Sequence, residues 1–108
     1  MTYEVVFARR AERDLRDIYE YVAYEIGEPQ TAARLMGRIR AAVESLGNFP
    51  GRRPLVGFEP WCSRQVRWML VGSYLVFYMT DEKEGVVSVI RVMYGGRDAE
   101  AELGRIIG

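Results

Sequence analysis

Tyr74-Leu75-Val76-Phe77-Tyr78, then Asp81-Glu82-Lys83-Glu84-Gly85, then Val86–Tyr94 and Gly95-Gly96-Arg97-Asp98: this run decides the fold. It reads as two apolar strands joined by an acidic, solvated turn. Arg91 and Tyr94 sit near the exit of the second strand, with a basic–acidic pair just beyond. Working back, Val66, Trp68 and Leu70 alternate with Arg67, the period of a half-buried strand. Gly72-Ser73 is a two-residue connection with glycine first, which suits a tight hairpin. Residues 66–94 therefore predict a three-stranded meander. Asp98 is the expected N-cap of a terminal helix, Ala99–Ile107.

The first half has a different period. Tyr3, Val5 and Phe7 alternate as a short strand. Ala11, Leu15, Ile18, Val22 and Ile26 then recur at spacings of three and four, one apolar stripe of a helix. Gly27 is a natural helix stop, and Pro29 restarts a helix, since proline is tolerated at the first helical position. Ala32, Leu35, Met36, Ile39, Val43 and Leu46 mark the second stripe. With so short a break, the two helices form an antiparallel hairpin whose apolar faces need a sheet to cover them. Residues 48–63 hold Pro50, Pro54 and Pro60 and read as a loop, anchored by Phe49, Phe58 and Trp61. The predicted order is β-α-α-β-β-β with a last helix. The class is α+β, a helical hairpin on one face of a small antiparallel sheet, in a single domain over residues 1–108.

A chain of 108 residues can bury roughly two-thirds of its unfolded surface. Its 49% hydrophobic and 28% charged residues are those of a water-soluble domain. It has no apolar run long enough for a bilayer and no basic, apolar leader, so no membrane association is expected. Cys62 stands alone, which excludes an internal disulfide and fits a reducing cytoplasm. The formal net charge is zero, yet residues 48–75 set Arg52, Arg53, Arg64 and Arg67 against Glu59 alone. A strong nucleic-acid binder usually carries a bolder basic bias. Lys83 is the one lysine and every other basic residue is arginine, which a GC-rich genome produces without functional meaning. No phosphate loop, metal-ligand spacing or cofactor motif is present, and Cys62 has no histidine to activate it.

Several stretches together resemble toxins of the RelE/ParE superfamily of type II toxin–antitoxin systems. They are Ala11-x-x-Asp14-Leu15-x-x-Ile18-x-x-Tyr21, Pro29-x-x-Ala32, Leu46-x-x-Phe49-Pro50, Tyr74-Leu75-Val76-Phe77-Tyr78, and Ile90-Arg91-Val92-Met93-Tyr94-Gly95-Gly96-Arg97-Asp98. The resemblance implies a small cytoplasmic protein that arrests its own cell unless a cognate antitoxin holds it. It also implies a homodimer or a heterotetramer with that antitoxin. Two modes exist in the superfamily: RelE-like members cleave mRNA in the ribosomal A site, and ParE-like members poison DNA gyrase.

Metal-free RNA cleavage needs a base for the 2′-hydroxyl, an acid for the leaving oxygen and cations for the phosphate. This chain has no histidine, and Leu75 stands where ribosome-dependent members commonly place an arginine. For a nuclease the catalytic set would be Arg67, Arg91 and Tyr94, a metal-independent endoribonuclease. Arg64, Arg67, Arg91 and Arg97 are the expected contacts to a target or phosphate, with Arg67 facing an open sheet surface. Trp68 is expected in the core beneath the helices. Tyr21, Tyr24 and Trp61 are the expected antitoxin contacts. The favoured function is a ParE-like inhibitor of DNA gyrase, not an enzyme. The alternatives are an mRNA interferase and a non-toxic homologue that only binds antitoxin.

Overall fold

The computed structural model describes residues 2–95. Asp98 and the terminal helix expected over Ala99–Ile107 lie outside them. The elements run β1 (Glu4–Phe7), α1 (Arg9–Glu20), α2 (Pro29–Glu44), β2 (Arg67–Val71), β3 (Tyr74–Asp81) and β4 (Val86–Tyr94). The strands form one sheet in the order β1-β4-β3-β2. The meander β2-β3-β4 is antiparallel, as its turn chemistry predicts.

The sheet as a whole is mixed, because β1 lies parallel to β4, Glu4 opposite Val86 and Phe7 opposite Val89. The cause is where the helical hairpin delivers the chain. α1 leaves β1 along the rising β4, with Ala8 N–H donating to the Val89 carbonyl. α2 then comes back to where β1 began: Tyr3 N–H donates to the Gly47 carbonyl at 2.7 Å. β2 thus starts from the same end as β1, and a three-strand meander gives β4 the direction of β1. The approach is close enough that a Cβ on Gly47 would stand 2.8 Å from the Tyr3 carbonyl oxygen.

The helices cover one face. Ala11, Leu15, Ile39, Val43 and Leu46 pack on Met69, Val71, Val76, Tyr78, Val87, Val89 and Val92. Each fully buried aliphatic side chain here contributes about 1.5–3 kcal/mol. The other face is covered too. The loop before β2 lays Val56, Trp61 and Val66 over Phe77 and Met93, with Phe58, Trp68, Leu75 and Ile90 around them. Trp68 is therefore under this loop and not beneath the helices. The alternation in β2 is real, but Met69 and Val71 take the helix side and Arg67 shares it, opposite Tyr78.

Ile26 was expected on the first apolar stripe but is 52% exposed. Beyond Glu20 the helix opens into a π turn over Tyr21–Glu25, with Ile26 N–H donating to the Tyr21 carbonyl five residues back. The wider turn shifts the register by one residue, so Val22 and Ala23 are buried and Ile26 rotates outward. Gly27, at φ +83, then ends the helix as its position suggested.

Candidate functional site

β1 ends at Phe7, opposite Val89, but β4 continues to Tyr94, so among the described residues no strand covers the upper edge of β4. A one-residue bulge in β4, where Phe77 faces Arg91 and Tyr78 faces Val89, turns the Val92 N–H toward that empty edge. Asp14 of α1 fills it: its Oδ2 accepts the Val92 N–H at 2.9 Å and the Arg91 Nε at 2.5 Å. Arg10 lies against the other oxygen, Nε to Oδ1 at 3.5 Å. Asp14 and Arg91 are 5% and 4% exposed. Arg91 is thus committed to a helix–strand tie and is closed to any phosphate or 2′-hydroxyl, contrary to the sequence-based expectation. The Arg91 Nη1 atom is buried with no partner among the described residues, a cost the paired Nε and Val92 N–H must outweigh.

Trp61 is the second correction. It is 2% exposed, sealed in the loop core against Val56, Val66, Phe77 and Met93. Arg64 stacks over its ring at 5.3 Å and is itself exposed. Arg67 is half-buried, and its Nη1 donates to the Arg53 carbonyl at 2.6 Å. Beside it the Tyr78 hydroxyl donates to the Pro50 carbonyl at 2.5 Å. Burial pushes the Tyr78 pKa above its ordinary 10.0, while the Arg67 and Arg53 guanidinium groups pull it back. Arg97 lies outside the described residues.

Arg67, Arg91 and Tyr94 do not converge. Arg67 pairs with Tyr78 and Tyr94 with Tyr74, four rows or about 13 Å apart along β3. The centre of the sheet face away from the helices, where a substrate strand would lie, is filled by Trp61, Trp68, Leu75 and Ile90.

What does gather is an aromatic end. Tyr94 is 52% exposed and stands edge-on to Tyr74 at 5.7 Å. Burial raises the Tyr74 pKa, and the negative charge that Tyr94 and Tyr21 would carry when ionised raises it further. Tyr21 and Tyr24 are 58% and 72% exposed. Next to them a shallow hollow of about 380 Å³ is lined by Val22, Ile26, Leu35 and Tyr74, with Thr31, two guanidinium groups (Arg34 and Arg38) and one acid (Glu28) as its polar lining. An apolar hollow with guanidinium groups beside it suits an amphipathic segment carrying acids. Tyr74 and the outward Ile26 belong to this end, and the sequence reading missed both. The π turn that exposes Ile26 leaves no compositional sign.

Asp14 was also missed as a buried group, though a signal existed. It falls between Ala11 and Leu15 on the apolar stripe, and an acid there needs an internal partner. Among the described residues no group of three or more His, Cys, Asp or Glu side chains is arranged to hold a metal ion. Nor is any described helix long and apolar enough to cross a membrane.

The family described as ParE toxin of type II toxin-antitoxin system, parDE, matches residues 5–99. The fold is similar to that in a chromosomal ParDE system from P. aeruginosa, with 19% identity over 86% of this chain and 96% of that one and a TM-score of 0.69. It is similar to the toxin–antitoxin complex RelBE2 from Mycobacterium tuberculosis, with 22% identity, 87% and 99% coverage and a TM-score of 0.62. A mutant of the E. coli toxin RelE in the free state shares 18% identity over 99% and 100% of the two chains, with a TM-score of 0.64. Comparison with curated proteins gives no match.

Proposed function

The chain belongs to the ParE toxin family of type II toxin–antitoxin systems, and from that premise we propose that it arrests growth by binding an essential protein, DNA gyrase, and is silenced by a cognate antitoxin. The observation that carries this reading is the burial of Arg91 against Asp14 beneath α1. A phosphate-cleaving site needs that guanidinium free, and here it is a structural tie. The apolar filling of the open-face centre by Trp61 and Trp68 supports the same reading, since no basic floor is left for an RNA strand. Binding, not bond cleavage, is what the remaining exposed surface suits.

The antitoxin contact belongs to the aromatic end, where Tyr21 and Tyr24 are exposed and Arg34 and Arg38 receive acids. One of the solved structures of similar fold is a toxin–antitoxin complex and another is described as a ParDE TA system, in keeping with such a partner. The test is a pair of assays on purified protein: gyrase supercoiling, and ribosome-dependent mRNA cleavage. Inhibition of supercoiling, relieved by antitoxin, is the expected result. Cleavage of mRNA that Arg67→Ala or Tyr94→Phe abolishes would instead make the protein an interferase. No growth arrest on unopposed expression would make it a non-toxic antitoxin binder.

A further inference from the structure

The sheet is ragged at the end away from the aromatic cluster. β2 begins at Arg67, opposite Tyr78, so among the described residues Met79, Thr80 and Asp81 of β3 have β4 on one side and no strand on the other. The chain leading into β2 does not fill the gap. Gln65, at φ +59, turns it aside, and Val66 spends its own groups on the loop: N–H to the Trp61 carbonyl, carbonyl to the Val56 N–H. A cleft of about 940 Å³ is left, with Thr80 and Glu82 on one wall, Phe49 and Gly51 on the other, and Arg67 beside them.

The ladder fixes which backbone groups face this cleft. Trp68 N–H points outward to the Pro54 carbonyl. In an antiparallel pair the inward residues of β2 are then Arg67, Met69 and Val71, bonded to Tyr78, Val76 and Tyr74. Two residues beyond Tyr78, Thr80 directs its N–H and carbonyl the same way, into the gap. Its Oγ1 is buried and has no partner among the described residues. Phe49 is 67% and Met79 37% exposed on the same cleft, a large apolar area beside an unpaired strand edge.

The geometry points to this cleft as the surface that engages the protein target, by adding a short extended segment of that protein to β3 at Thr80. The inference rests on the reading of the chain as a toxin that acts by binding a protein. The segment runs antiparallel to β3, in line with β2, and sets an apolar side chain against Phe49 and Met79. It carries a lysine or arginine toward Asp81 and Glu82, since among the described residues neither acid has an ion-pair partner. The antitoxin is not the occupant. The aromatic end lies at Tyr74, six residues or about 20 Å along β3 from Thr80, so a partner seated there leaves the cleft free.

The experiment uses the full chain with Thr80→Pro and Phe49→Ala. Proline at 80 removes the N–H that faces the cleft and no bond of the ladder, which an edge position tolerates. Both variants should fold, bind antitoxin within about twofold of the parent, and inhibit gyrase at least about tenfold less, with growth arrest lost in step. Parent-like arrest by both variants overturns the proposal. If Thr80→Pro does not fold, Phe49→Ala decides alone, and parent-like arrest by it overturns the proposal. Loss of activity in Arg67→Ala with Thr80→Pro unchanged overturns it in favour of a nucleic-acid strand. If the parent chain neither arrests growth nor inhibits gyrase, the toxin reading fails first. If the parent acts and the variants act equally, only the cleft assignment falls.

Discussion

Asp14 holds three groups with one carboxylate: the Arg91 guanidinium, the Val92 N–H and, more loosely, Arg10. Removing one partner of a buried pair leaves the other charge uncompensated. Asp14→Ala should therefore destabilise the fold by about 3–5 kcal/mol. Asp14→Asn keeps an acceptor for Val92 N–H and should cost less. Urea denaturation of the two variants beside the parent checks the order, and equal loss would show that the charge alone matters. Tyr78 gives a test through pH. Its pKa is raised in the folded state, so below about pH 10 both states hold the proton and stability is unaffected. Above that the unfolded chain gives up its proton first, and stability falls as pH rises toward the folded value. Tyr74 adds to the fall with the same sign. Tyr78→Phe should flatten part of this slope and, by stranding the Pro50 carbonyl, cost about 1 kcal/mol at neutral pH. Denaturant melts between about pH 8 and pH 11 resolve the two effects.

At the scale of elements, the join between α2 and β1 is set by one missing side chain. Gly47→Ala puts a methyl 2.8 Å from the Tyr3 carbonyl oxygen, backbone against backbone, with Val5 also close. The strand or the helix end must shift, which should cost about 1–3 kcal/mol and loosen the Tyr3–Gly47 bond. Hydrogen exchange at the Tyr3 amide reports it directly. The elements themselves were largely legible in the chain: β4 has its predicted bounds, and Gly27, Pro29 and Gly72 mark the breaks they suggested. Two things were not legible. Period alone cannot show a π turn, which widens the helix without a compositional mark, so Ile26 was assigned to the wrong side. Nor does alternation say which face of a strand meets the helices. Because the loop supplied its own apolar cover through Val56 and Trp61, both faces of β2 are partly apolar and the assignment of Trp68 and Arg67 inverted.

Across the whole molecule, silencing is proposed at the Tyr74 end of β3 and action at the Thr80 end. Tyr21 and Tyr24 carry large apolar area on the surface, the kind that a partner covers. The double variant Tyr21→Ala/Tyr24→Ala should weaken antitoxin binding by at least about tenfold while leaving gyrase inhibition and thermal stability near the parent's. Titration calorimetry with antitoxin, beside a supercoiling assay, distinguishes this from unfolding; unchanged affinity would move the antitoxin contact elsewhere. The candidate site was less legible than the fold for a physical reason. Arginine looks the same in sequence whether it meets a phosphate or a buried acid, and the partner of Arg91 lies 77 residues away.

That same long separation governs when the protein can exist at all. Among the described residues β1 pairs with β4 alone, and Glu4 waits for Val86, 82 positions downstream. At about 5–20 residues per second on the ribosome, the wait is about 4–16 s. A nascent chain cut short in that interval holds a strand without a sheet and an aspartate without its arginine. Translation must reach the last strand before the sheet can close, so on the proposed function no inhibitor forms in that interval and an antitoxin made alongside gains those seconds.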